Sequence, residues 1–121
     1  QAGDEVLISF AQCLNKNIRN NVDFLGRYGG EEFLIVLPET NIKGAFSLAE
    51  RLRIKVSQNT IHTNKKEVYV TASFGFSSLD IPGMSKEITP EDIIRSVDEY
   101  LYQAKKEGRN KVIGGPLLLC R

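Results

Sequence analysis

Apolar positions along residues 4–19 recur at helical spacing: Leu7, Phe10, Ala11, Leu14 and Ile18. Polar residues fill the gaps, so the segment is predicted to be an amphipathic helix. The period then changes. Phe24-Leu25-Gly26-Arg27-Tyr28 reads as a strand, and Phe33-Leu34-Ile35-Val36-Leu37 is an unbroken apolar run. Two strands at 24–28 and 33–37 around Gly29-Gly30 predict a β-hairpin, because glycine supplies the positive φ of a tight connection. The second run shows no polar alternation, so Leu34 to Leu37 are expected to be buried on both faces. Helical spacing returns at Ala45, Leu48, Ala49, Leu52 and Val56, with Asn41 as the N-cap.

Residues 67–77 alternate, with Val68, Val70, Ala72, Phe74 and Phe76 on one face. A turn at Asn64-Lys65-Lys66 precedes them and joins a short strand near 60–63; Pro82-Gly83 opens a loop after them. Thr89-Pro90-Glu91-Asp92 combines a capping threonine, proline at the first helical position and acids near the positive end of the helix dipole. The helix it starts buries Ile93, Ile94, Val97, Leu101 and Ala104, and Gly108 fits the C′ position. Residues 109–113 read as a last strand, followed by a tail over 114–121. Leu48, Leu52, Val97 and Leu101 are expected to cover the sheet. The resulting order, α-β-β-α-(β)-β-α-β, predicts an α/β (α+β) domain. It is close to a ferredoxin-like β-α-β-β-α-β palm that begins after its first strand.

The 121 residues suffice for one domain, over 1–113, with a single core. A net charge of +1 gives no electrostatic footprint for nucleic acid or an anionic membrane. No apolar run reaches transmembrane length. Cys13 and Cys120 show no metal-ligand spacing, and free thiols in a reducing cytoplasm are expected, with a disulfide left open. His62 has no ligand partner in the sequence and is assigned a surface role.

The chemistry concentrates in Gly29-Gly30-Glu31-Glu32-Phe33. Adjacent carboxylates repel unless a positive charge offsets them, and a divalent cation does so with hard oxygen ligands. The plain alternative is a pair of solvated acids at a strand start. Further along, Asp98, Leu101-Tyr102, Ala104-Lys105 and Gly108-Arg109-Asn110 form a second cluster. Near the N-terminus stands Gly3-Asp4-Glu5-Val6-Leu7.

Together these segments resemble the GGDEF family of diguanylate cyclase domains in its GGEEF form. The resemblance covers nearly all of residues 2–113. It implies a mainly antiparallel palm-type nucleotidyl cyclase sheet with helices packed on it. It also implies condensation of two GTP molecules to cyclic di-GMP, with Mg2+ or Mn2+, across a homodimer. By the same resemblance Glu31 and Glu32 are the catalytic and metal-binding acids, and Gly29 and Gly30 admit the nucleotide. Lys105 and Arg109 contact phosphate, and Asp4 accepts hydrogen bonds from the guanine edge. A carboxylate suits guanine's two donors and disfavours adenine. The plain readings are a helix-start acid at Asp4 and a basic last helical turn at Lys105. Thr71-Ala72-Ser73-Phe74-Gly75 is similar to a family strand, with a packing role.

Two departures stand out. The family's preceding D-x-D/x-F-K-x-x-N-D strand, with its first metal aspartate, is not in this sequence, so the chain taken alone is expected to be inactive. The family's R-x-x-D inhibition site has its aspartate at Asp23 but Asn20 in place of the arginine. Arg19 is one residue off, and Arg51 is the second arginine of that weak site. The resemblance further implies an upstream sensor or receiver domain, a cytoplasmic location, and no nucleic-acid partner. A GGDEF domain that binds GTP or cyclic di-GMP as a regulatory module, without turnover, is the rival reading.

Overall fold

The computed structural model describes residues 2–64, 66–79 and 88–118. The expectations at Lys65, at the Pro82-Gly83 loop and at the tail from Leu119 onward lie outside the described residues. The element order is α1 (Ala2–Lys16), β1 (Phe24–Gly29), β2 (Glu32–Val36), α2 (Ile42–Gln58), β3 (Ile61–His62), β4 (Glu67–Val68), β5 (Phe74–Ser78), α3 (Pro90–Lys106) and β6 (Val112–Pro116). This is the mixed α+β architecture expected. The strands pair two by two: β1–β2 and β3–β4 antiparallel, β5–β6 parallel.

The chain forms two compact units, one of residues 1–39 and 54–71, the other of residues 40–53 and 72–121. In the first, Leu14, Val56 and Ile61 are fully buried. Phe10 of α1 meets Phe33 of β2 with ring centroids 5.3 Å apart, which fixes the covered face of the hairpin. Successive strand residues point to opposite faces, so Ile35 shares the Phe33 face while Leu34 and Val36 take the other. Val36 is 50% exposed, and Leu34, Ile35 and Leu37 are only half-buried. The expectation of burial on both faces is corrected: the apolar run marks a two-stranded ribbon with one face against α1. His62 is exposed and lies 3.6 Å from Glu67 across the β3–β4 pair, in keeping with a surface role.

In the second unit, α3 lies against β5 and β6. Thr89 caps it as expected: its side chain accepts from the Asp92 N–H, and Asp92 accepts from the Thr89 N–H, closing a capping box. Those hydrogen bonds, led by the one from the Thr89 backbone, hold the Asp92 carboxyl below its ordinary range. Asn41 caps α2, its Oδ1 accepting from the Gly44 N–H at 2.8 Å. Of the residues expected over the sheet, Leu52 is buried, while Leu48, Val97 and Leu101 are half-buried. Ala72 and Phe74 of this unit, and Val70 of the first, are half-buried rather than buried.

The predicted strand over 67–77 divides into β4 and β5, with residues 69–73 outside both. The last strand begins later than expected and runs past residue 113. Ser78 O accepts from the Leu117 N–H at 3.1 Å, Ser96 Oγ accepts from the Leu118 N–H at 2.8 Å, and Tyr100 donates to Pro116 O at 2.7 Å. Residues 114–118 are thus stitched to α3 and β5.

Candidate functional site

The hairpin sets the geometry around Glu31 and Glu32. Its register pairs Phe24 with Val36, Leu25 with Ile35, Gly26 with Leu34 and Arg27 with Phe33; Gly29 then pairs with Glu32. Tyr28 is therefore the extra residue of a bulge. The two-residue turn is Gly30-Glu31, not Gly29-Gly30 as the sequence suggested. Gly30 has φ +51°, which a side chain would resist, so the turn demands glycine there. Gly29 is a strand residue, and a side chain on either glycine would meet nothing within 4 Å. The side of the turn next to the two acids is open.

This correction puts the two acids in different elements. Glu31 stands in the turn itself, while Glu32 opens β2 on the face opposite Phe33. Both are exposed. Arg27 spans the turn, donating to the Gly30 carbonyl from Nε at 2.7 Å and also from Nη2. A planar fork on one carbonyl fixes the turn that carries Glu31. The sequence placed Arg27 only as a residue of the first hairpin strand and gave no sign of this contact.

Asp4 lies in the first turn of α1, the helix that holds Phe33 through Phe10. It is exposed, whereas neighbouring Glu5 is half-buried with Oε1 shielded from solvent. Of the two acids, Asp4 is the more exposed.

At the base of the hairpin, Arg19 and Asp23 form a clamp. Asp23 is buried; its carboxylate accepts from the Arg19 N–H at 2.8 Å, from Nη2 at 2.7 Å, and from Nε at 3.0 and 3.1 Å. These hydrogen bonds hold the Asp23 carboxyl below its ordinary range against the opposing effect of burial. The Arg19 guanidinium also donates to Pro38 O at 3.0 Å, just beyond β2. A cavity of about 380 Å³ opens elsewhere in this unit, between α1 and the end of α2. Its Lys16 and Lys55 lie toward helix C-termini, where cations complement the negative end of the dipole, and no hairpin residue lines it. Cys13 faces it, buried, its thiol pushed up by desolvation against the pull of those lysines.

Lys105 and Arg109, the residues the resemblance assigns to phosphate, belong to the other unit. Lys105 stands exposed in the last turn of α3. Gly108 follows with φ +118°, as the C′ reading expected. Arg109 and Asn110 continue in the left-handed region at φ +64° and +50°. Arg109 is exposed. Arg51 is exposed on α2, in this second unit, whereas Arg19 and Asp23 belong to the first.

The chain matches the family described as Diguanylate cyclase, GGDEF domain, over residues 1–111. It belongs to the GGDEF family. It is 42% identical to the response regulator PleD of Caulobacter vibrioides over 93% of this chain and 24% of PleD. It is 38% identical to diguanylate cyclase A of Treponema denticola over 92% of this chain and 29% of that protein. This GGDEF chain therefore spans about a quarter of the length of the relatives it matches. Among solved structures it is similar to the active GGEEF domain of a diguanylate cyclase from Vibrio cholerae. That likeness has a TM-score of 0.74 at 37% identity, over 93% of this chain and 67% of the other.

Among the described residues of the GGDEF domain, no three His, Cys, Asp or Glu side chains cluster to hold a metal ion. Glu31 and Glu32 are a partial donor set of hard oxygens at an open turn. Such a set fits Mg2+, which is bound through one or two carboxylates while substrate phosphates and water complete the shell. No described helix is long and apolar enough to cross a membrane.

Proposed function

We propose that this GGDEF domain makes cyclic di-GMP from two GTP molecules. The observation that carries the reading is the open, Arg27-braced turn with Glu31 and Glu32 exposed beside two glycines. Each 3′-hydroxyl oxygen attacks the α-phosphorus of the other GTP; a P–O bond forms, and the bond to pyrophosphate breaks. Two such steps close the ring, which requires two domains, each holding one GTP. Glu31 and Glu32 would hold Mg2+ or Mn2+, which supplies charge neutralisation at the phosphates and acidifies the attacking hydroxyl. Glu32 would also take up that proton. Lys105 and Arg109 stabilise phosphate charge, one as a point charge and the other as a planar fork. The test is incubation of the full-length protein with GTP and Mg2+, followed by chromatography for cyclic di-GMP and pyrophosphate. GTP binding without product would favour the regulatory-module reading.

Guanine selectivity is assigned to Asp4. Replacing it with serine removes a charged acceptor, and a hydrogen bond to a charged group is worth about 1.5–3 kcal/mol. The preference for GTP over ATP should fall by roughly one to two orders of magnitude in Asp4→Ser. An unchanged ratio of the two turnover numbers would return Asp4 to a helix-start role.

Feedback by cyclic di-GMP at the R-x-x-D position is expected to be weak. The Asp23 carboxylate is already taken up by Arg19 and is buried, so a ligand would have to break that clamp. Calorimetric titration of the full-length protein with cyclic di-GMP measures this. Micromolar binding lost in both Arg19→Ala and Asp23→Ala would show that the clamp opens to form the site.

A further inference from the structure

We propose that Ser73, Asn110 and Arg53 form a latch that aims Arg109, making them positioning residues for the phosphate contact. The inference rests on the cyclase reading above. Three consecutive residues after α3, from Gly108 to Asn110, have positive φ. Asparagine adopts this conformation readily and glycine without cost, but arginine does so at a strain. Such strain persists only where the surroundings over-determine the backbone.

The surroundings here do so from three directions. The Arg109 N–H donates to Ala104 O at 2.9 Å, tying the turn back to the helix. The Asn110 N–H donates to Ser73 Oγ at 3.1 Å, just before β5. Asn110 Oδ1 accepts from Arg53 Nη1 at 3.1 Å, on α2. Arginine only donates, so the Asn110 amide must turn its oxygen toward it. Glu50 orients Arg53 by accepting from Nε at 2.9 Å and Nη2 at 2.7 Å, which leaves Nη1 for Asn110.

The Phe74 N–H donates to Lys111 O at 2.9 Å and joins the segment to β5 without help from Asn110. The contacts at Asn110 therefore exceed what strand pairing needs. Their effect falls on the residue before it. A guanidinium fork recognises phosphate only in a narrow range of orientations, and Arg109 has no flexible backbone with which to search for them. Ser73, read from the sequence as a packing residue, gains a role that its hydroxyl explains and its size does not.

The test uses the full-length protein, calorimetric binding of a GTP analogue with a non-cleavable α,β bridge, and amide hydrogen exchange. The Asn110 amide should be protected in the wild type and exchange faster in Ser73→Ala. Asn110→Ala and Arg53→Gln should each weaken analogue binding by about three- to tenfold, the scale of one lost hydrogen bond. Asn110→Asp keeps both the acceptor and tolerance of positive φ, so it should bind like the wild type. In an Arg109→Ala background, Asn110→Ala and Arg53→Gln should cause no further loss. Equal losses with and without Arg109, or a failure of Asn110→Asp to restore binding, would overturn the latch, as would an unprotected Asn110 amide. An Arg109→Ala protein that binds as tightly as the wild type would instead overturn the phosphate contact and the latch with it.

Discussion

Cyclic di-GMP formation should fall by at least roughly two to three orders of magnitude in Glu31→Gln and in Glu32→Gln, the scale seen when a preorganised electrostatic group is removed from a reacting centre. Each substitution keeps the shape of the side chain and removes its charge. Both residues are exposed, and neither belongs to the core. Unfolding stability should therefore move by no more than about 0.5 kcal/mol. The loss would lie in the chemistry: without the carboxylate the metal ion would be held less well, and the phosphate charge that grows in the transition state would lose the cation that offsets it. Their different places in the hairpin allow the roles to be separated. Glu31 is in the turn and Glu32 is paired with Gly29, so a residue that acts only as a metal ligand should recover part of its activity at raised Mg2+. Full activity in both variants, measured by chromatography of product, would sink the proposed mechanism.

Gly75→Ala should be the most damaging single-methyl change to the fold. A Cβ at Gly75 would stand 2.3 Å from Leu101 N, and 2.7 Å from both Leu101 Cα and Val97 O. All three are backbone atoms of α3, so no side chain can swing aside. The helix must lift from β5, and overpacking of this kind costs typically 1–3 kcal/mol and occasionally more. With backbone on both sides, about 3 kcal/mol is expected, which corresponds to a melting temperature lower by roughly 10–20 °C for a domain of this size. Gly26→Ala is the control: it places the same methyl in β1 with nothing within 4 Å. Equal melting temperatures for the two variants would mean that α3 and β5 do not approach as described.

Local chemistry made much of this fold readable. The Thr89-Pro90 start of α3, the Asn41 cap and the Gly108 stop each depend on residues within four positions of one another, and each stands where the sequence placed it. Where the reading failed, the deciding partner was not local. Alternation over 67–77 suited one strand, but only residues 67–68 and 74–78 find partners. Leu34 to Leu37 looked doubly covered because an apolar run does not say how many faces have neighbours. The hairpin turn was misplaced by one residue because a bulge at Tyr28 leaves no trace in hydrophobic spacing. The carboxylates, Lys105 and Arg109 were legible as residue types in a known arrangement. Arg27, Arg53 and Ser73 were not legible as site supports, since the last two reach Asn110 across 57 and 37 residues.

The hairpin is tied at both ends, by Arg27 to Gly30 at its tip and by Arg19, Asp23 and Pro38 at its base. A free ribbon of this size is at best marginally stable in water and frays from its ends. Fixing one residue's backbone costs about 1–2 kcal/mol in conformational entropy. Because the two ties order the tip as the chain folds, that entropy is already lost before any ligand binds. On the proposed reading, binding at the turn carries no added cost for ordering it, and loosening either tie would show as a weaker complex with a more unfavourable binding entropy.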